Sequence, residues 1–205
     1  IIWDATTAKP IKTLATGIPR VHAIKFSADG SRLLAACRDD RVQLWSLDKD
    51  EMLREFEETR TERWVAGYRP AIAFSADGSK FALYSPKALA ILICDSTSGD
   101  ELRRIPEPSR LPGGLHIALR RGLGFIDDLT LFSNTGGWIK VWDVNSGQLL
   151  QQEDPGFAFS NIQYMEFLPK QDTFVAVDIL NDETTTHEDW TQVSFHPRKL
   201  LEPMQ

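Results

Sequence analysis

The sequence has few of the features that stabilise secreted proteins or direct a chain to secretion or to a membrane. Its 205 residues include two cysteines, Cys37 and Cys94, and no Asn-x-Ser/Thr glycosylation site. Two isolated thiols form neither a disulfide framework nor a metal cluster. The longest unbroken apolar run, residues 88–94, is far shorter than a membrane span, and no signal peptide opens the chain. We therefore expect an intracellular protein, cytoplasmic with the nucleus left open, that has no membrane partner.

The sequence also has fewer basic than acidic residues. The chain carries 23 Lys and Arg against 29 Asp and Glu, for a net charge of −6. A duplex nucleic-acid binder needs a basic face, so no nucleic-acid partner is expected. The acidic excess lies in residues 101–205, with five acids between Asp178 and Asp189. A solvated loop is the simpler interpretation of that stretch, and an acidic docking tail is the alternative.

Residue patterns for catalysis and metal binding are missing as well. There is no Gly-x-Ser-x-Gly nucleophile motif, and the four histidines lack ligand spacing. His187-Glu188-Asp189 and the Asp48–Asp50 pair come nearest to a metal site, but each lacks the remaining ligands. The sequence therefore predicts no catalytic residues, no cofactor and no metal.

What the sequence does contain is internal repetition. The segments 24–31 and 72–79 nearly coincide, each with Phe-Ser-Ala-Asp-Gly-Ser at its end, and they lie 48 residues apart. In each, an alternating apolar run precedes Asp-Gly and another apolar run follows, which is typical of a β-hairpin. The composition, 42% hydrophobic and 10% aromatic, provides enough apolar side chains for a sizeable core.

A second repeat is interleaved with the first. Short β-type runs end at Trp3-Asp4, Trp45-Ser46, Cys94-Asp95 and Trp142-Asp143, in steps of 42, 49 and 48 residues. A polar turn and another apolar run follow each of them. Together the two patterns give four short strands in every 40–50 residues, and four antiparallel strands per repeat form a propeller blade.

These motifs resemble those of WD40-repeat proteins over nearly the whole chain. Trp3-Asp4 and Trp142-Asp143 match the dipeptide that names the family. The two Phe-Ser-Ala-Asp-Gly segments match its first hairpin, and residues 42–45 and 139–142 match its third strand. The fold class expected from the resemblance is all-β, a β-propeller of four-stranded antiparallel blades.

The resemblance also assigns blades along the chain. Residues 1–16 correspond to a partial blade, 20–57, 68–106 and 115–153 to three full blades, and 161–205 to a partial or degenerate blade. WD40 propellers usually close with seven blades, so this chain of four to five blades is expected to be an incomplete propeller and part of a longer protein. The first residue, which is not Met, suggests the same. A small five-bladed ring is the alternative.

The repeats depart from the family pattern, which makes them degenerate. The Gly-His pair expected before each first strand is absent, so the family's buried His–Ser/Thr–Asp–Trp hydrogen-bond network cannot form in full. Trp3, Trp45 and Trp142 are expected in the core, with Cys94 and Phe195 at the equivalent positions. The structural repeat positions implied by the resemblance are Trp3, Asp4, Asp39, Trp45, Cys94, Asp95, Trp142, Asp143 and Phe195.

In WD40-like propellers, the loops that join one blade to the next lie on one face. Here these loops contain residue types that dominate binding hot spots, because Trp, Tyr and Arg bury large areas at low entropic cost. The candidate partner-binding residues are Arg60, Arg63, Trp64, Tyr68, Arg69, Arg110, Phe157 and Phe159. The alternative is that Trp64 and Tyr68 begin the next strand and pack into the core.

The function expected from this resemblance is a non-catalytic scaffold for protein–protein interaction, within a larger signalling or regulatory protein. Two alternatives remain open at this point. One is a propeller enzyme of the hydrolase or quinone-dependent dehydrogenase type, and the other is a truncated fragment with no function of its own. The identity of any protein partner lies beyond the sequence.

Overall fold

The computed structural model describes most of the chain up to residue 153 and three further strands. The described residues are 1–14, 17, 21–37, 41–57, 71–107, 122–135, 138–153, 162–168, 173–180 and 189–195. For residues 135, 162–166, 173–180 and 189–195 only the backbone is described. These residues form seventeen strands and no α-helix.

Three four-stranded antiparallel sheets account for most of the strands. The first sheet consists of β3 (Val21–Phe26), β4 (Arg32–Cys37), β5 (Val42–Ser46) and β6 (Glu51–Phe56). The second consists of β7 (Ile72–Phe74), β8 (Lys80–Ser85), β9 (Ala90–Asp95) and β10 (Glu101–Pro106). The third consists of β11 (Leu123–Phe125), β12 (Thr130–Thr135), β13 (Trp138–Asp143) and β14 (Leu149–Glu153). In each sheet the strands are adjacent in chain order.

A smaller sheet lies on each side of these three along the chain. β1 (Ile2–Trp3) pairs with β2 (Pro10–Lys12) near the start. The fourth sheet contains β15 (Ile162–Leu168), β16 (Thr173–Leu180) and β17 (Asp189–Phe195). β15 and β16 pair as an antiparallel hairpin within the segment assigned to a partial or degenerate blade.

The repeated Ser-Ala-Asp-Gly segment closes the first hairpin of two sheets in the same way. The Ser27 hydroxyl donates to Asp29 Oδ1 over 2.6 Å, and the Ser75 hydroxyl donates to Asp77 Oδ1 over 2.6 Å. The glycine that follows has a positive φ, 72° at Gly30, which a residue with a Cβ adopts only at a cost. The same side-chain hydrogen bonds therefore close both hairpins, which lie 48 residues apart.

The sheets stack through their faces, and two apolar clusters lie between them. One cluster joins the first and second sheets through side chains such as Leu34, Leu44, Phe81 and Leu92, all 2% exposed or less. The other joins the second and third sheets and includes Ile105. The innermost strands β3, β7, β11 and β15 are also neighbours in that order. Adjacent inner strands and face-to-face blades are the arrangement of a β-propeller.

Near their outer edges, consecutive sheets meet through a turn that contains glycine. A Cβ at Gly99 would lie 2.9 Å from Arg54 Cδ on the first sheet, and a Cβ at Gly147 would lie 3.4 Å from Arg103 Cδ on the second. Both glycines have φ values above 70°. The turn between the third and fourth strands is thus held against the preceding sheet in both pairs, which makes the stacking of sheets regular.

The fold prediction is confirmed at the level of architecture. The described residues form an all-β structure with three four-stranded antiparallel sheets, consistent with an incomplete β-propeller. One core prediction is wrong. Trp3 is 56% exposed, because its strand belongs to a two-stranded sheet that does not cover the indole among the described residues. Trp45 and Trp142 are each 7% exposed, as expected of core residues.

Candidate protein-interaction site

In chain order, the candidate partner-binding residues come between the last strand of one sheet and the first strand of the next. β6 ends at Phe56 and β7 begins at Ile72, and equivalent connections join β10 to β11 and β14 to β15. All eight candidates, Arg60, Arg63, Trp64, Tyr68, Arg69, Arg110, Phe157 and Phe159, lie outside the described residues. Asp39 also lies outside them, and Phe195 ends β17 with only its backbone described. The roles assigned to these residues therefore stay predictions.

The aspartates of the Trp-Asp repeat cap the turn that follows them. Asp95 Oδ1 accepts hydrogen bonds from the backbone N–H groups of Thr97 and Ser98, each over 2.8 Å. Asp4 Oδ1 accepts equivalent bonds from the two residues at its own turn. The backbone N–H of Ser98 is the main reason why the pKa of Asp95 is lowered, since donors stabilise the carboxylate. Backbone N–H donors in their own turns likewise lower the pKa of Asp4 and Asp143, chiefly those of Thr7 and Ser146.

A buried polar network joins the second and third sheets. The Trp142 indole Nε1–H donates to Ser133 Oγ over 2.9 Å, and the Ser133 hydroxyl donates to Glu107 Oε1 over 2.8 Å. Lys140 Nζ lies 3.5 Å from the same carboxylate oxygen and 5.9 Å from the centroid of the Trp142 ring. Glu107 is 1% exposed, and a charge that is so deeply buried needs such partners.

Glu107 also fixes the start of the connection between β10 and β11. Its N–H donates to Leu89 O over 2.8 Å, and its carbonyl accepts the Tyr84 hydroxyl at 3.4 Å. With its side chain bonded to the third sheet, this residue is held by both sheets. The connection that contains Arg110 therefore begins from a fixed point.

The first sheet provides a different network for its tryptophan. The Trp45 Nε1–H donates to Gln43 Oε1 over 3.1 Å, and Gln43 Nε2 donates to Glu55 Oε2 over 2.7 Å. Arg41 NH1 donates to Glu55 Oε1 over 3.0 Å. Both buried indoles are thus bonded without the histidine that the family pattern supplies, and in each case a glutamate accepts at the end of the chain of bonds.

The second sheet has apolar side chains at the corresponding positions. By register, Cys94 occupies the place of Trp142, Leu83 that of Ser133 and Leu92 that of Lys140. All three are 2% exposed or less and belong to the cluster between the first and second sheets. The replacement of Trp by Cys is therefore accompanied by the loss of polar side chains at its neighbours.

An aromatic cavity that the sequence analysis did not identify lies where the innermost strands end. It has a volume of about 240 Å³, and its aromatic lining is Phe26, Phe74, Phe125, Phe132 and Phe167. Phe26, Phe74 and Phe125 are the last residues of β3, β7 and β11. The repeated Phe before Ser-Ala-Asp-Gly was the available signal, but the sequence does not show that consecutive inner strands bring these rings together.

The fold defines the class of protein as an all-β repeat protein whose stacked four-stranded sheets fit a WD40-like propeller. Within the described ranges there is no group of three or more His, Cys, Asp and Glu that could hold a metal ion. Among the same residues no helix has the length and apolar character that a membrane crossing requires.

Comparison with known proteins gives a distant similarity over most of the chain. The chain is 24% identical over 210 residues to apoptotic protease-activating factor 1 of Rattus norvegicus. The alignment covers 88% of this chain and 15% of the rat protein, so the chain spans less than a sixth of the relative's length. No family model matches the chain.

Proposed function

We propose that this chain is a non-catalytic platform for protein–protein interaction of the WD40-repeat type, within a larger signalling or regulatory protein. The observation that carries the proposal is the similarity along 88% of the chain to a factor named for protease activation, on a stack of repeating four-stranded sheets. The small share of the rat protein that is covered supports a larger parent. The step from fold to function is one of analogy.

The proposed binding face is the edge of the sheets where the connections β6–β7, β10–β11 and β14–β15 leave. The strands that follow these connections, β7, β11 and β15, are neighbours along the centre of the stack, which supports a shared edge for the three connections. The residue types in them, above all Arg63 and Trp64, are those that contribute most to binding energy. The anchoring of Glu107 gives one of these connections a fixed origin, and a pre-organised surface loses less entropy on binding.

The partner that we propose is a protein inside the cell, and no cofactor, metal, nucleic acid or membrane takes part. The two cysteines are buried and form no disulfide with one another, which supports a compartment that does not depend on disulfides. The acidic net charge fits a protein partner better than nucleic acid.

The test uses the full chain in cells, with partners identified by proximity labelling and then measured as purified proteins. The double variant R63A/W64A is expected to weaken binding about tenfold or more. The matched control is K49A/M52A, two exposed residues of the turn and strand at the opposite edge, which should leave binding unchanged. Equal binding by R63A/W64A and the wild type would contradict the proposed face.

A separate measurement addresses the enzyme alternative. Metal analysis and ultraviolet-visible spectra of the purified chain should show neither stoichiometric metal nor quinone absorbance. Either signal at one equivalent would favour a propeller enzyme over the platform proposed here.

A further inference from the structure

The aromatic cavity lies at the edge of the sheets opposite to the proposed binding face. Its lining comes from the ends of β3, β7, β11 and β15 and from the turns after β3 and β7, including Ala28 and Ala76. The connections that carry Arg63 and Arg110 enter the innermost strands at their other ends. The cavity is therefore a separate feature, and its role does not depend on the proposed function.

The size and lining of the cavity suit a single large apolar side chain. A volume of about 240 Å³ is below the roughly 300–1,000 Å³ of sites for drug-sized ligands and cofactors. Phe26 is 46% exposed, so part of the aromatic surface is accessible from solvent. The Phe132 ring packs on the backbone of Gly124, where a Cβ would lie 2.5 Å from a ring carbon, which gives the cavity a rigid wall. Aromatic rings favour partners with which they can stack or meet edge to face.

The turns that form the rim are in contact with one another. A Cβ at Gly78 would lie 3.6 Å from both Ala28 N and Ser27 Cβ, which places the turn of the second sheet against that of the first. The backbone N–H of Asp77 donates to Asp128 Oδ1 over 2.9 Å, which links the turns of the second and third sheets. The rim is thus continuous across three sheets.

Negative charge is concentrated on the part of the rim formed by the second and third sheets. Asp77, Asp127 and Asp128 lie there, with Lys80 as the nearby base. The hydroxyl of Ser75 is the largest cause of a lowered pKa for Asp77, so this carboxylate stays ionised at neutral pH. On the first sheet, Lys25 lines the cavity, Asp29 lies in the turn after β3, and Arg32 begins β4.

From this geometry we propose that the cavity is a docking site for a peptide segment in which a phenylalanine-sized apolar side chain lies between basic residues. The apolar side chain enters among Phe26, Phe74 and Phe125. A neighbouring Lys or Arg then meets the carboxylates of Asp77 and Asp128. The site would give the chain a second interaction surface, on the edge opposite to the inter-sheet connections.

The test measures fluorescence anisotropy of labelled peptides with the full chain. The probe has a Lys-Phe-Arg core within a Gly-Ser sequence, and the matched probes have Lys-Ala-Arg and Glu-Phe-Glu cores. The Lys-Phe-Arg peptide is expected to bind about tenfold or more tightly than either matched peptide, because both the ring and the charge contribute. Equal binding of the Lys-Ala-Arg peptide, or tighter binding of Glu-Phe-Glu, would overturn the proposal.

Variants of the chain locate the binding. F26A should weaken binding of the Lys-Phe-Arg peptide about tenfold or more, while I24A, which truncates an exposed side chain outside the cavity lining, should change it less than about twofold. D128N keeps an acceptor for Asp77 N–H but removes the charge, so about two- to fivefold weaker binding is expected, with D48N as its control.

Two further variants keep the result interpretable. A28F adds a ring at an exposed turn position of the lining and should block the peptide without removing a side chain of the core. R63A/W64A should bind the peptide normally, since it alters the other edge. Unchanged binding by both F26A and A28F would overturn the docking site and leave the proposed binding face unaffected.

Discussion

The two interfaces between the four-stranded sheets are built from different chemistry on the same backbone plan. Between the first and second sheets, Cys94 belongs to a buried apolar cluster that also contains Leu83 and Leu92. Between the second and third sheets, the equivalent positions carry Trp142 and a bonded chain of polar groups that ends on Glu107. Equivalent strands thus stack in both pairs of sheets, with an apolar cluster at one interface and a buried carboxylate at the other.

The comparison shows that the residues of a degenerate repeat change as a set. A buried indole N–H needs an acceptor, and a buried carboxylate needs donors. Where Cys94 stands in place of the tryptophan, the neighbouring hydroxyl and ammonium positions are Leu83 and Leu92. The positions that bond the indole in the third sheet therefore carry apolar side chains, together with Cys94, in the second sheet.

The largest loss of stability is expected when Trp142 of the third sheet is replaced by cysteine, the residue at the equivalent position of the second sheet. W142C removes a buried ring and leaves Ser133 and Glu107 without the indole, so a loss of about 3–5 kcal/mol in unfolding free energy is expected. Urea unfolding followed by tryptophan fluorescence and circular dichroism measures it. The combined variant W142C/S133L/K140L/E107Q, which lacks the buried charge, should recover part of the loss. No recovery would contradict the view that these residues act as a set.

The reciprocal substitution, tryptophan for Cys94, tests the apolar interface between the first and second sheets. C94W inserts a large ring beside Phe81 and Leu83 and offers its N–H no hydroxyl at the position of Leu83, so about 2–4 kcal/mol of destabilisation is expected. If a hydroxyl at position 83 is what allows a tryptophan at position 94, C94W/L83S should be less destabilised than C94W alone. The L83S single variant is the control, and additive effects in this double-mutant cycle would reject the coupling.

A smaller effect isolates one hydrogen bond of the polar interface. S133A removes the hydroxyl that links the indole to the carboxylate, for an expected loss of about 1.5–3 kcal/mol. T97A, at an exposed turn of the second sheet, is the control and should change the unfolding free energy by less than about 0.5 kcal/mol. A loss of equal size in both variants would show that the network adds nothing specific.

Low pH should reduce the stability that comes from a hydrogen-bonded aspartate in the first turn of each of the first two sheets. Hydrogen bonds from Ser27 and Ser31 lower the pKa of Asp29 from 3.8 to about 2. The equivalent serines, Ser75 and Ser79, lower the pKa of Asp77. Because the folded-state pKa lies below the unfolded one, this stabilisation is present above pH 4 and is lost as the pH falls toward 2. The melting temperature of D29N/D77N should depend less on pH in this range than that of the wild type. Equal slopes would contradict the assignment.

The smallest effect is expected for the ion pair on the outside of the apolar interface. Arg54 NH1 lies 2.9 Å from Asp100 Oδ1, and both side chains are exposed. Pairs of this kind contribute about 0–1 kcal/mol and are screened by salt. D100N should therefore lower the melting temperature only slightly at low ionic strength and not at all in 1 M salt.

Strand positions could be predicted from the sequence because they depend on local chemistry. The Asp-Gly turns, the alternating apolar runs and the Trp-Asp pairs each reveal themselves within about ten residues, and the strands ending at Phe26, Phe74 and Trp142-Asp143 lie where they were expected. The exposure of Trp3 could not be predicted this way, since it depends on what packs over its sheet.

The polar networks and the cavity needed the three-dimensional structure. Glu107 lies 26 residues before Ser133, and nothing in its local sequence distinguishes it from a surface glutamate such as Glu57. The cavity similarly combines residues from Lys25 to Phe167. Contacts between repeats depend on how sheets stack, which the period of the repeat indicates only in outline.

The position of Glu107 gives the assembly of the chain a direction during synthesis. Strands within each sheet pair with their neighbours in sequence, so a sheet can form soon after it leaves the ribosome. Glu107, however, is made before the hydroxyl and indole that receive it. A second sheet that forms before the third therefore has this carboxylate without its partners Ser133 and Lys140 until the third sheet is made.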